Sequence, residues 1–143
     1  MSEFNGFKYE DLEIGMAHET VHTITEQDIQ RFAEVSGDYN PLHMDDEFAS
    51  KTVFGRRIAH GALTASYISG ILGNNLPGPG AIFIGLSMRF KRPVHIGDTV
   101  TVRAEVAEKQ DRGNRVTLKV DCTVDGKRVI TGEAEVVAPR REA

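Results

Sequence analysis

Tryptophan is missing from this sequence, and cysteine occurs once in 143 residues. A lone Cys122 cannot form an internal disulfide, which excludes a small cystine-stapled secreted domain and any zinc site built on Cys pairs. Its place in an alternating stretch suits a small, inward-facing apolar side chain. An excess of positive charge is lacking as well. The formal net charge is −4, with both signs interspersed. That argues against nucleic acid as the main partner and leaves no polybasic arm for a membrane surface. No apolar segment preceded by basic residues stands at the start, so no secretory signal is expected. Walker loops, dinucleotide fingerprints and Ser-centred nucleophile elbows are absent too. What remains is a chain expected to be cytoplasmic, one α+β domain over residues 1–143, with a loose tail after about residue 139.

The most informative absence is local. Between Ile58 and Met88 there is no Asp, Glu, Lys or Arg. Within that run Leu63, Tyr67, Ile68, Ile71 and Leu72 recur at helical spacing, and the other positions carry Ala, Ser, Thr and Gly. A helix with no charged face is expected to be buried in the middle of the domain. It is too short and too rich in Gly and Asn to span a bilayer, which takes roughly 20 apolar residues. Gly73-Asn74-Asn75 and Pro77-Gly78-Pro79-Gly80 end it. At its front, His60-Gly61 leaves the first backbone N–H groups uncovered by any bulky side chain, an arrangement that attracts an anion or a polarised carbonyl.

Other elements fall around this helix. Ala17–Ile24 loosely alternates as a strand after a turn at Glu13-Ile14-Gly15. Thr25-Glu26-Gln27-Asp28 has the form of a capping box. It opens a helix whose face carries Ile29, Phe32, Ala33 and Val35 and which closes at Ser36-Gly37. A short helix is expected from Asp45 or Asp46 to about Lys51. Beyond Gly80 the period changes to two. Strands are expected over 81–90, over Val100, Val102, Ala104 and Val106, over Val116 to Val124, and over Lys127–Val137. Asp125-Gly126 marks a hairpin. Helices followed by strands with hairpin connections imply an antiparallel sheet with helices to one side, and burying the uncharged helix requires that sheet to curl around it.

Reactive side chains gather in Gly37-Asp38-Tyr39-Asn40-Pro41-Leu42-His43-Met44-Asp45. Pro41 fixes its own φ and pushes Asn40 out of the α region, so an extended turn rather than a helix is expected here. Such a turn can hold Asp38 and His43 at a set distance as an acid–base pair. The same residues also read as a turn-forming Asp and a structural His. A metal set of His43, Asp45 and His60 has no His-x₃-His or Cys pair to support it, and no metal is expected. The residues alone reach an acid–base site beside a helix N-terminus and stop there.

The stretch Ser36 to Asp45, followed by Ala49, resembles the hydratase motif of the (R)-specific enoyl-CoA hydratases, the MaoC-like hydratases. Ile58-Ala59-His60-Gly61 before a small-residue helix is similar to the family's second signature. Phe90-Lys91-Arg92-Pro93-Val94 with Gly97-Asp98, and Thr131-Gly132-Glu133-Ala134, are similar to two of its strands. The resemblance implies a hot-dog fold, a curved antiparallel sheet wrapped around a long central helix, and a homodimer or an assembly of dimers. It implies reversible hydration of a trans-2-enoyl-CoA thioester to the (R)-3-hydroxyacyl form, with neither metal nor redox cofactor required. By the same resemblance Asp38 and His43 hold and activate water, and Gly61 supplies the N–H that binds the thioester oxygen. Asn40, Ser69 and Leu72 fall on the substrate side, Ser69 matching a serine that supports the catalytic Asp and Leu72 the closed end of the acyl tunnel.

Three other readings compete. A (R)-3-hydroxyacyl dehydratase acting on acyl carrier protein would keep the chemistry and change the carrier. Arg56, Arg57, Arg89, Lys91 and Arg92 would suit CoA phosphates or an acidic carrier surface equally. An acyl-CoA thioesterase would place a carboxylate on or near the central helix, which has none. A non-catalytic acyl-thioester sensor would need no Asp38/His43 pair.

Overall fold

The computed structural model describes residues 4–141. Its strands are β1 (Ala17–Thr23), β2 (Ile82–Phe90), β3 (Thr99–Gln110), β4 (Arg115–Val124) and β5 (Lys127–Val137). Its helices are α1 (Glu26–Ser36), α2 (Pro41–Met44), α3 (Asp46–Ser50) and α4 (Gly61–Asn74). The strands form one antiparallel sheet in the order β1-β3-β4-β5-β2. β3, β4 and β5 are joined as hairpins, but β2 does not pair with β3. It crosses to the far edge and pairs with β5, so the expected chain of hairpins holds for the last three strands only.

Alternation in the sequence maps directly onto the sheet. Val102 pairs with Cys122, Ala104 with Val120 and Val106 with Leu118, all of them buried. On β5, Ile130 and Ala134 continue the same inward face. The other faces of these strands are more exposed, as period-two geometry requires. Asp125 and Gly126 take φ of 51° and 77°, the left-handed pair of a two-residue hairpin turn between Val124 and Lys127. Cys122 lies in the core, and burial pushes its thiol up to about 12, so it is inert packing.

Helix α4 lies across this inward face, packing on β3, β2 and β1. Leu63, Ile68, Ile71 and Leu72 are buried against the strands, each stabilising the fold by about 1.5–3 kcal/mol. The helix is not buried all round, however. Ala62, Ser66, Ser69, Gly70 and Gly73 form an exposed stripe on its far side. The sheet covers one side of the helix, and the stripe is uncharged for another reason. Next to it in the fold, edge strand β2 exposes Ile82 (60%), Ile84 (44%) and Phe90 (56%).

One further expectation is corrected. Val35 is 86% exposed; the buried face of α1 runs through Ile29 and Ala33, and Val35 sits off that line. Of the tail expected to be loose, residues 142–143 lie outside the described residues. Arg140 donates to Asn114 and to the Asp111 carbonyl (2.6 Å), and Arg141 pairs with Asp11. No helix among the described residues is long and apolar enough to cross a membrane.

Candidate active site

The site begins at the C-terminal end of α1. Thr25 accepts from the Asp28 N–H and Asp28 accepts from the Thr25 N–H, completing the capping box that starts the helix. Gly37, at φ 77°, ends it with its N–H on the Ala33 carbonyl. Asp38 follows at once. Its Oδ1 accepts from the Asn40 N–H at 3.1 Å, a local turn bond. Its Oδ2 lies 4.0 Å from His43 Nε2. One carboxylate oxygen of Asp38 thus forms the turn, and the other faces the His43 ring.

Between these residues the backbone departs from the expected extended turn. Pro41 holds Asn40 out of the α region (ψ 126°), but it then serves as the first residue of a helical turn, α2. Asn40 Oδ1 caps that turn by accepting from the Leu42 N–H at 3.0 Å. Proline restricts the residue before it while suiting a helix start itself, and the second effect decides this segment. Asp45 caps α3 through the Phe48 N–H and stands apart from the site.

His43 is buried at 8% exposure. Its Nδ1 lies 2.8 Å from the Ile58 carbonyl oxygen. A carbonyl only accepts, so Nδ1 carries the proton and donates there, while Nε2 faces Asp38. His60, at 1% exposure, bonds through Nε2 to the Asp38 carbonyl at 2.9 Å, so by the same reasoning it donates there. Burial pushes its pKa down, which keeps the ring neutral. It is packed between Phe32 and His43, with ring centroids 4.9 and 4.1 Å away.

Asp38, His43 and His60 come together here, and not the set of His43, Asp45 and His60 that the sequence left unsupported as a metal site. Their potential ligand atoms lie within 4.8 Å of one another. The two imidazoles face each other at an interplanar angle of 32°, whereas ring lone pairs lie in the ring planes and so do not converge on one point. His60 Nε2 is in any case occupied by the Asp38 carbonyl.

Beside His43 opens a cavity of about 540 Å³. Gly61 and Ala62, the first residues of α4, line it. The N-cap His60 makes no side-chain cap bond to this helix end. A Cβ at Gly61 would stand 2.7 Å from Cε1 of Phe90, so any larger residue here has to push that ring aside. Buried Ala59, Val94 and Ile130 form the inner wall, and exposed Phe90, Lys91 and Arg92 form the mouth.

Of the sequence-derived site residues, His43 and Gly61 share this cavity, and Asp38 stands beside it with its side chain 48% exposed. Asn40 is an exposed cap. Ser69 lies two turns along α4 on the exposed stripe, and Leu72 is buried at 2% exposure; neither lines the cavity. Arg57, grouped above with the carrier-binding cations, is 6% exposed and engaged with Glu26 at 2.7 and 2.6 Å. Glu26 was not anticipated at this site, and Phe90 was expected only as part of a strand. The only signal for Arg57 is its position as the last charge before the charge-free run.

The MaoC like domain matches residues 11–128. The (R)-specific enoyl-CoA hydratase of Rhodospirillum rubrum is 48% identical over 133 residues, covering 93% of this chain and 92% of that protein. The 3-hydroxybutyryl-CoA dehydratase of Methylorubrum extorquens is 44% identical over 142 residues, covering 99% and 90%. Among solved structures, the R-hydratase PhaJ1 from Pseudomonas aeruginosa superposes with a TM-score of 0.91 at 44% identity, covering 95% of this chain and 88% of that one. The (R)-hydratase from Aeromonas caviae gives 0.88 at 40% identity, covering 91% and 99%. With its antiparallel sheet packed on helix α4, its hydratase motif and these relatives, the chain belongs to the MaoC-like family and has the hot-dog fold.

Proposed function

We propose that this protein is an (R)-specific enoyl-CoA hydratase, adding water reversibly across a trans-2-enoyl-CoA to give the (R)-3-hydroxyacyl-CoA. The observation that carries the reading is the Asp38–His43 pair, held 4.0 Å apart beside the open front of α4. That separation is too long for a direct hydrogen bond, but one water oxygen can sit about 2.8 Å from both groups. As this oxygen bonds to C3 of the substrate, one water proton passes to the pair. The π electrons move toward the thioester oxygen, whose growing negative charge is stabilised by the Gly61 N–H, a contribution of roughly 10²–10³ in rate for one such donor. The same pair returns the proton to C2. Atoms balance, and both additions come from one face, making the hydration syn. Lys91 and Arg92 at the cavity mouth suit the phosphates of CoA. A single inert thiol and balanced surface charge fit a reducing cytoplasm.

The enzyme acts as a homodimer in this reading. Edge strand β2 offers unpaired backbone groups and apolar side chains next to the small-residue stripe of α4, which is the surface a second copy would cover.

The test is stereochemical. Crotonyl-CoA incubated with the protein yields 3-hydroxybutyryl-CoA that an (R)-specific dehydrogenase consumes and an (S)-specific one leaves. Release of free CoA would move the protein to the thioesterases, and an (S) product would refute the assigned face.

A further inference from the structure

The helical turn that carries His43 has only four residues, too few to hold a conformation by itself. Residues Arg57 and Ile58 supply what it lacks. The Ile58 N–H donates to the Leu42 carbonyl at 3.3 Å, and the Ile58 carbonyl accepts from the His43 ring at 2.8 Å. Arg57 Nε–H donates to the His43 backbone carbonyl at 2.6 Å. The remaining guanidinium nitrogens, Nη1 and Nη2, each donate to one carboxylate oxygen of Glu26. This two-pronged bond fixes the guanidinium plane and so the direction of Nε–H. Asp46, 88% exposed, adds a weaker contact to Nη1 at 3.8 Å.

Both ends of this bridge lead to the reacting pair. Glu26 is the first residue of α1, the helix that delivers Asp38 at its other end. The 57–59 segment is itself tied to the sheet side, through the Ala59 N–H to the Val94 carbonyl (2.6 Å) and through His95 Nδ1 to the Arg57 carbonyl (2.9 Å). We propose that Arg57, oriented by Glu26, is a positioning residue that sets the separation of His43 from Asp38. Arg57 does not itself line the cavity and reaches it only through the His43 carbonyl that it holds, so it acts on the reaction through His43 and not on substrate binding. The proposal rests on the hydratase reading for its kinetic test only.

Rates of crotonyl-CoA hydration by Arg57→Met, Arg57→Lys and Glu26→Gln, alone and combined with His43→Gln, decide the matter. Misplacement of a reacting group by about 1 Å costs on the order of 10²-fold. Arg57→Met is expected to lower kcat by about 10- to 100-fold with KM within about two-fold. Glu26→Gln, which keeps acceptor atoms but loses the charge, falls in the same direction by less. Arg57→Lys does not rescue, because an ammonium cannot serve the carbonyl and both carboxylate oxygens at once. In the His43→Gln background each effect shrinks to under about two-fold, as coupled groups require. A loss that multiplies the His43→Gln loss, or one confined to KM, overturns the proposal. So does unchanged kcat in Arg57→Met. Should Arg57→Met fail to fold, Glu26→Gln and Arg57→Lys carry the same outcomes. The ring-nitrogen NMR signals of His43 separate the two readings. Loss of the fixed Nδ1–H form in Glu26→Gln and Arg57→Lys supports the positioning role even if the wild type hydrates nothing, and an unaltered ring signal refutes it.

Discussion

Replacing Gly61 by alanine probes the front of α4 with one methyl group. The backbone tolerates the change, since Gly61 is not in the left-handed region. Space does not. The new Cβ would stand 2.7, 3.0 and 3.1 Å from Cε1, Cζ and Cδ1 of Phe90. Phe90 is 56% exposed, so its ring can swing outward at little cost. Alanine also gains up to about 1 kcal/mol over glycine in helix propensity. The folded state should therefore be almost unaffected, with a Tm within a few degrees of wild type. Catalysis is affected differently. The methyl group and the displaced ring both crowd the place before the Gly61 N–H to which the proposed function assigns the thioester oxygen. Losing that one donor costs roughly 10²–10³ in rate. Partial obstruction is expected to lower kcat/KM on crotonyl-CoA by at least about 10-fold. The assay is the disappearance of the conjugated enoyl thioester absorbance, with a thermal melt on the same sample. A folded Gly61→Ala protein with wild-type kcat/KM would refute the assignment of this helix end to the thioester oxygen.

Three further outcomes follow from the same geometry. Asp38→Asn and His43→Gln are each expected to lose at least about 10²-fold in kcat with little change in Tm, and near-wild-type turnover in either removes that residue from the chemistry. Sedimentation should show a dimer at micromolar concentration, burying the β2 edge and the α4 stripe at the scale of about 800 Å² per partner; a compact monomer would refute it. Hydrogen bonds from Arg57 hold the Glu26 carboxyl below the usual carboxylate range. The pair therefore adds stability above the unfolded-state value near 4.5, and loses it as pH falls through the lower folded value. Because the Glu26 side chain is 55% exposed, solvent screening keeps the effect small. The stability gap between wild type and Glu26→Gln should be widest at neutral pH and narrow as pH falls below the unfolded-state value near 4.5. A gap that stays constant in chemical denaturation across that range would count against the pair.

How far the sequence discloses this molecule depends on whether a signal is local. The inward valines of β3 and β4 were legible because period two leaves no other face for them. The ends of α1 were legible because capping at Thr25 and Gly37 uses adjacent backbone groups. Pro41 was half legible, since one residue exerts two local effects and the sequence does not say which prevails. The charge-free run of α4 was legible as protection from water, but not as to what does the protecting. Leu63, Ile68 and Leu72 meet the sheet, whereas Ala62, Ser69 and Gly73 meet nothing in the single chain. Absence of charge looks the same for a core and for a surface awaiting a second copy.

Arg57 marks the limit. A charged residue in a run of two arginines reads as surface, and its burial depends on a carboxylate 31 positions away. Nothing in the neighbouring residues encodes that distance. The pairing becomes visible only once the fold has brought the start of α1 beside the approach to α4. The motif carries Asp38 and His43, and the residues bonded to the turn that holds them 4.0 Å apart come from elsewhere in the chain. Variation at positions such as Glu26 and Arg57 can therefore alter the reaction in relatives whose motif residues are identical to those of this protein.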